Sequence, residues 1–131
     1  MMQPSGADAS AKPNQPAGLT ATAIAGAKIR LTWSYESGGE GATCTVFNLY
    51  TDGGTGNVDY SSTTDTETKT GGTRSSYTWD SSALTDATAY KFAVRASTAA
   101  GIEDGNLIVV SATADSTAPA QGGALTLTMT R

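Results

Sequence analysis

The sequence predicts an all-β fold, a seven-stranded antiparallel β-sandwich, and three observations lead to that prediction. Thr, Ala, Ser and Gly dominate the 131 residues, whereas long helix-forming side chains are scarce. Several segments alternate apolar and polar residues with a period of two, which is typical of strands with one buried face. Turn signals rich in Gly separate these segments. No segment combines helical apolar spacing with capping residues, so no helix longer than a turn or two is expected.

The strands are predicted best where two faces can be distinguished. In residues 28–34, Ile29, Leu31 and Trp33 point to one side and polar residues to the other, so this strand is half-buried. Residues 90–96 alternate in the same way. A stretch of Thr and charged residues predicts a short edge strand with polar faces. In chain order, the strands are expected at residues 19–23, 28–34, 45–50, 64–70, 75–79, 90–96 and 106–113.

Alternation also predicts which side chains fill the space between the sheets. Leu84 precedes Tyr90 by the spacing of a tyrosine corner, in which the Tyr hydroxyl bonds to upstream backbone. Trp33 is expected in the core, where its indole N–H needs one hydrogen-bond partner. The expected structural core consists of Leu31, Trp33, Phe47, Leu49, Trp79, Leu84, Tyr90, Phe92 and Val94.

The chain divides into a central domain and two flanking segments. Residues 1–15 lack apolar periodicity, so they are expected to form a flexible tail or linker. Residues 16–114 are expected to form the sandwich. Residues 115–131 are predicted to be an interdomain linker followed by an extra strand, which either begins a following domain or adds to an edge of this one.

The extra strand requires a partner. Leu125, Leu127 and Met129 lie on one face of an alternating segment. An isolated strand leaves its backbone groups and its apolar face unpartnered, so we expect pairing with a free sheet edge, in the same molecule or a neighbour. Pairing between copies would produce strand-mediated self-association through these residues.

Charge and cysteine usage exclude several classes of function. The net charge is −4 and the 8 Lys and Arg residues are scattered, so neither nucleic acid nor an anionic membrane is an expected partner. The longest aliphatic run, residues 107–110, is too short to insert across a bilayer. No charged-then-apolar leader opens the chain, so any signal peptide is expected to have been removed or to lie upstream. Cys44 has no basic neighbour in the sequence and is expected to be buried and unreactive.

Five short motifs occur in one order and register along residues 16–114. They are Pro16-x-Gly18-Leu19-Thr20-Ala21, Ile29-x-Leu31-Thr32-Trp33-Ser34, Phe47-Asn48-Leu49-Tyr50, the run from Leu84 to Ala96, and Val110-x-Ala112-Thr113. In this order and spacing the chain resembles a fibronectin type III domain, most closely those of bacterial extracellular or virion proteins. The resemblance implies an immunoglobulin-like topology. Some members display an integrin-binding tripeptide in the loop at residues 101–106, but it is absent here and a solvated turn is expected.

No catalytic residue and no cofactor is predicted. The sequence has no His, so a Ser or Cys nucleophile lacks its usual base and zinc its commonest ligand. A glycosidase would need two of the 12 acids facing each other in a cleft, which a sandwich of this size is not expected to provide.

The strongest site candidate is the Gly-rich loop at residues 52–59. Asp52, Asn57 and Asp59 would offer oxygen ligands to Ca²⁺, and the Gly-Gly-x-Gly core resembles calcium-binding β-rolls. The acid is misplaced for those repeats and no second repeat follows. A hairpin-type loop with solvated acids is therefore the prediction. Tyr50 and Tyr60 flank this loop and are the aromatic residues expected to be exposed.

Two classes of function remain. The favoured one is a structural and interaction module, a spacer or presenting domain from a larger extracellular, cell-surface or virion protein, whose partners include the neighbouring domains of its parent chain. The alternative is a carbohydrate-binding module that uses exposed aromatics and loop acids. Trp33 and Trp79 are both predicted to point inward, which leaves Tyr50 and Tyr60 as candidates for stacking on sugars.

Overall fold

The structure, a computed structural model, describes residues 11–118 and contains seven strands in that range. A three-stranded sheet has the order β1-β2-β5 and a four-stranded sheet the order β4-β3-β6-β7, with all neighbours antiparallel. The prediction of an all-β sandwich without helices is confirmed for this part of the chain. The strands are β1 (Ala17–Ile24), β2 (Lys28–Glu36), β3 (Val46–Thr51), β4 (Asp65–Thr68), β5 (Arg74–Asp80), β6 (Ala89–Ser97) and β7 (Val110–Thr113).

The core lies between the two sheets. Strand β2 buries every second residue from Ile29 to Tyr35. Trp33 meets Phe47 of the opposite sheet edge to face, with ring centroids 5.6 Å apart, and stacks on Tyr77 at 5.8 Å. Contrary to expectation, Trp33 Nε1 is buried without a hydrogen-bond partner among the described residues. Of the predicted core residues, Trp79 and Leu84 are partly buried, and the buried ones are Leu31, Trp33, Phe47, Leu49, Tyr90, Phe92 and Val94.

The tyrosine corner occurs where the sequence predicts it. The Tyr90 hydroxyl accepts a hydrogen bond from the amide N–H of Thr85 at 3.0 Å. Tyr90 is buried, so this bond ties the turn between β5 and β6 to the core.

The N-terminal segment contacts the end of the sandwich at which β2 finishes. The carbonyl of Lys12 accepts a hydrogen bond from Ala42, and the Asn14 side chain donates to the carbonyl of Glu36 at 2.8 Å. The prediction that residues 1–15 form a flexible tail is therefore wrong for Lys12 and Asn14, which are bonded to the domain. The acceptors are backbone carbonyls, so the pattern of apolar side chains in the sequence could not predict these bonds.

The C-terminal segment leaves from the other end. In β7, Thr113 pairs with Ala89 at the beginning of β6, and the amide of Ser116 then donates to the Asp86 carboxylate at 2.7 Å. These contacts lie at the turn between β5 and β6, whereas the N-terminal contacts lie at the turn after β2. The chain therefore crosses the sandwich from end to end. The predicted extra strand, residues 125–129, lies outside the described residues.

Strand β7 is shorter than predicted. The sequence favoured a strand over residues 106–113, but regular pairing begins at Val110. The Asn106 side-chain amide donates to the carbonyl of Val94 at 3.1 Å, and its Oδ1 accepts from the amide of Ile108 at 2.9 Å. Because this side chain occupies groups that backbone pairing would use, the segment before Val110 departs from the sheet. The other strands differ from the prediction only at their ends.

Candidate functional site

The Gly-rich loop at residues 52–59 is organised around a buried acid. Asp52 is 6% exposed. Its carboxylate accepts hydrogen bonds from the amides of Gly54 and Gly56 at 2.8 Å and from that of Lys91 at 3.0 Å. Burial alone would raise the pKa of Asp52, but these amides outweigh it and lower the pKa. The prediction of solvated acids is therefore wrong for Asp52, which holds the loop to β6.

The three proposed calcium ligands have different surroundings. Asn57 and Asp59 are exposed, and Asp59 Oδ1 accepts hydrogen bonds from the amide and the hydroxyl of Ser61. Both Asp52 oxygens face backbone amides, and a cation there would deprive those amides of their acceptor. In the described range, no group of three or more His, Cys, Asp or Glu side chains is placed to hold a metal ion. The geometry thus disfavours the calcium hypothesis.

Polar and aromatic side chains cover the outer face of the four-stranded sheet. This outer-face cluster consists of Asn48, Tyr50, Tyr60, Arg95 and Glu103. One Glu103 oxygen accepts from Arg95 at 3.2 Å, and the other accepts from Asn48 at 2.8 Å and from the Tyr50 hydroxyl. The Arg95 guanidinium lies 3.8 Å from the ring centroid of Tyr60, and that ring packs on Tyr50 with centroids 5.2 Å apart. The cluster attaches two loops to the sheet.

The electrostatics of the outer-face cluster keep Glu103 ionised. Burial opposes its ionisation, but hydrogen bonds from Tyr50, Asn48 and Arg95 outweigh burial and lower the pKa of Glu103. Burial and the bond to Glu103 raise the pKa of Tyr50. Because both carboxylate oxygens have partners, Glu103 stabilises the fold and is not available as a general base.

The exposure predicted for the two loop tyrosines is wrong. Tyr50 is 3% exposed, and Tyr60 is partly buried with Arg95 against its ring. The Tyr60 hydroxyl is buried and has no hydrogen-bond partner among the described residues. Sequence reasoning missed the outer-face cluster, although alternation places Asn48 and Arg95 opposite the core, where they are direct partners in the β3–β6 register. Glu103, which completes the cluster, comes from a loop with no alternation.

The loop at residues 101–106 is not the solvated turn that the sequence suggested. The Asp104 carboxylate accepts hydrogen bonds from the amides of Ala96 and Asn106, both at 2.7 Å. Asn106 is 9% exposed. The loop is therefore bonded to the end of β6 through its own side chains.

A second candidate site is the cleft between the edges of β4 and β5. It measures about 220 Å³ and is lined by aromatic and polar side chains. Trp79, which is partly buried, donates its indole N–H to Asp65 at 2.7 Å and packs on Phe92 with ring centroids 5.9 Å apart. Asp80, which also lines the cleft, forms an ion pair with Arg30 at 2.7 Å. Trp79 thus contributes to the core and to an accessible surface.

The free cysteine and the secondary structure are two further features of the described residues. Cys44 is buried as expected, and burial raises the pKa of its thiol, which disfavours the reactive thiolate. No helix capable of crossing a membrane occurs in residues 11–118.

Solved structures with a similar fold include the sixth fibronectin type III domain of human fibronectin type III domain containing protein 3. Its TM-score is 0.59 at 18% identity, over 89% of this chain and 96% of that domain. The fold is that of a fibronectin type III domain. A multidomain titin fragment also matches with a TM-score of 0.59 at 16% identity, over 79% of this chain and only 32% of the fragment. No family model and no curated protein sequence matches the chain.

The fibronectin type III prediction is thus confirmed at the level of the fold. The expected closeness to bacterial or virion domains is not supported, because the domain with the same fold named above is human.

Proposed function

We propose that this fibronectin type III-like domain is a spacer that holds neighbouring domains apart and presents loops, within a larger extracellular, cell-surface or virion protein. Sandwiches of this architecture are common as non-catalytic modules of cell-surface proteins. The observation that carries the proposal is the path of the chain, which enters at the end where β2 finishes and leaves at the turn between β5 and β6. The extracellular or virion setting rests on the resemblance of the sequence motifs.

Both ends of the path are bonded to the domain, so the distance between them is defined. Strand β2 has 9 residues, and at roughly 3.3 Å per residue the sandwich separates its neighbours by about 30 Å. Pulling the two ends apart would draw β1 along β2 and β7 along β6. Tension along antiparallel strands loads all of their hydrogen bonds together, which suits a module that transmits force between neighbours.

Single-molecule pulling tests this geometry. We expect one cooperative unfolding event when the handles are attached at Lys12 and Ser116, at the two ends of the path. The control places the handles at Gly26 and Ser116, which lie at the same end of the sandwich. There β7 separates from β6 one bond at a time, beginning at the Thr113–Ala89 pair, so a several-fold lower force is expected. Equal forces in the two geometries would refute the spacer proposal.

Carbohydrate binding is the second candidate function, and the cleft at Trp79 is the feature that favours it. A partly buried indole that lines a cleft beside acidic side chains suits stacking on a sugar ring. Titration against a panel of polysaccharides tests the hypothesis, with Trp79→Ala as the variant and Trp79→Phe as the control that keeps an aromatic ring. Binding that is retained by Trp79→Phe and lost by Trp79→Ala would favour this function over the spacer. A pure spacer binds none of the panel.

A further inference from the structure

The cleft between the edges of β4 and β5 reaches the core of the sandwich. Phe92 and Tyr90 line it, and both belong to the buried core cluster. Its volume is about 220 Å³. A cavity of about 150 Å³ is enough for one benzene ring. The cleft therefore has the size of a single six-membered ring together with its substituents.

Trp79 lines this cleft, and two contacts fix the position of its indole. The indole N–H donates to Asp65 at 2.7 Å, and the ring packs on Phe92 with centroids 5.9 Å apart. Both contacts are present without a ligand, so a ligand meets a preorganised aromatic surface. The C–H face of a pyranose ring is a suitable partner for such a surface.

The two acids that line the cleft differ in how their charge is balanced. Both Asp80 oxygens accept hydrogen bonds from the Arg30 guanidinium, at 2.7 and 3.0 Å. Asp65 accepts from neutral groups, the indole of Trp79 and the amide of Thr66 at 2.8 Å, and no Lys or Arg pairs with it within residues 11–118. A carboxylate has about four acceptor positions, so Asp65 can also bind a cationic group of a ligand.

A buried hydroxyl group at the cleft has a free donor. Tyr90 is 7% exposed and lines the cleft. Its oxygen accepts a hydrogen bond from the amide of Thr85, but its hydroxyl hydrogen has no acceptor among the described residues. A buried donor without an acceptor is unfavourable, and a hydroxyl group of a ligand would supply that acceptor. This favours a ligand that carries hydroxyl groups as well as a ring.

We propose that the cleft binds one amino sugar residue, a pyranose ring that carries an ammonium group. The ring stacks on Trp79, the ammonium group binds Asp65, and a ring hydroxyl accepts from Tyr90. This inference rests on the second candidate function, carbohydrate binding, and specifies the class of sugar. A neutral sugar leaves the charge of Asp65 unbalanced, whereas an alkylamine without a ring leaves the indole without a stacking partner.

Nuclear magnetic resonance titration tests the proposal, because the two Trp residues of the sequence give one indole N–H signal each. Three methyl glycosides are compared, those of glucosamine, glucose and N-acetylglucosamine, which share one ring and differ only in the substituent at carbon 2. At a pH where the sugar amine is protonated, the glucosamine compound should shift the Trp79 signal at about tenfold lower concentration than the other two. The Trp33 signal comes from a buried indole that does not line the cleft, and it should not move. Trp79→Phe assigns the two signals.

Two variants examine the charge. Asp65→Asn should abolish the preference for glucosamine, because it removes the negative charge while keeping an acceptor for the Trp79 indole. The matched control is Glu67→Gln, which removes one negative charge from the same strand at a residue that does not line the cleft. It should keep the preference. Near-ultraviolet circular dichroism confirms that each variant is folded.

The possible outcomes separate this inference from the function on which it rests. Equal binding of the three glycosides would overturn the amino sugar and leave carbohydrate binding intact. Ethanolamine has an ammonium and a hydroxyl group but no ring, so its binding as tightly as the glucosamine compound would overturn the sugar itself. A Trp79 signal that none of these compounds moves would overturn both the inference and carbohydrate binding, whereas the spacer function has its own test by pulling.

Discussion

Replacing Asp52 with Ala removes the acceptor that organises the loop after β3. The carboxylate accepts from Gly54 and Gly56 at 2.8 Å and from Lys91 at 3.0 Å. All three bonds are partly buried and all three donors belong to exposed residues, so water can replace part of what the carboxylate supplies. A hydrogen bond to a charged group contributes about 1.5 to 3 kcal/mol, and partial hydration of the three amides reduces the sum, so we expect the free energy of unfolding to fall by about 2 to 3 kcal/mol.

The pH dependence of this loss has a defined sign. The folded pKa of Asp52 lies below its ordinary value of 3.8, so the unfolded chain binds the proton more readily. The stabilisation by Asp52 is therefore fully present above that ordinary value and disappears as the pH falls through the folded pKa. The difference in unfolding free energy between wild type and Asp52→Ala should accordingly shrink below about pH 4.

Urea denaturation followed by tryptophan fluorescence, at pH 7 and at pH 3, measures both effects. Asp59→Ala is the matched control, because it removes the same charge from the same loop at an exposed position whose carboxylate accepts hydrogen bonds from Ser61 alone among the described residues. Its denaturation midpoint should equal that of the wild type. An equal loss for the two variants, or a loss for Asp52→Ala that does not change with pH, would refute the structural role assigned to Asp52.

Three further predictions concern the core and the loop. Tyr90→Phe should lower the free energy of unfolding by about 1 to 3 kcal/mol, because the Thr85 amide loses its acceptor. An unchanged denaturation midpoint would mean that this hydrogen bond contributes nothing. Trp33→Ala should lower the free energy of unfolding by about 3 to 5 kcal/mol, and Trp79→Ala should lower it by less, since the Trp79 side chain is only partly buried. The opposite order in calorimetry would contradict the burial argument. Millimolar Ca²⁺ should leave the melting temperature unchanged, and a rise of several degrees that Asp52→Ala abolishes would restore the calcium hypothesis.

The sequence determined those parts of the fold that depend on neighbours along the chain. Whether a side chain points to the core or to solvent follows from its position in a strand, because successive residues alternate between the two faces. This is why the buried face of β2 was predicted correctly, and the tyrosine corner at Tyr90 was predicted from another local property, its spacing from Leu84. Trp33 shows the limit of such reasoning: its burial was predicted, but whether its indole finds a partner depends on the opposite sheet.

The tertiary structure alone decided the surroundings of the loop residues. Asp52 is bonded to Lys91, and Tyr50 is bonded to Glu103, across long separations in sequence. The residues beside Asp52 in the sequence do not show whether its carboxylate will be solvated or will accept hydrogen bonds from backbone amides after folding. The start of β7 at Val110 has the same origin, because the carbonyl of Val94 becomes a neighbour of the Asn106 side chain only when the sheet forms. Strand faces are local properties, whereas hydrogen bonds between loops and strands exist only in the assembled sandwich.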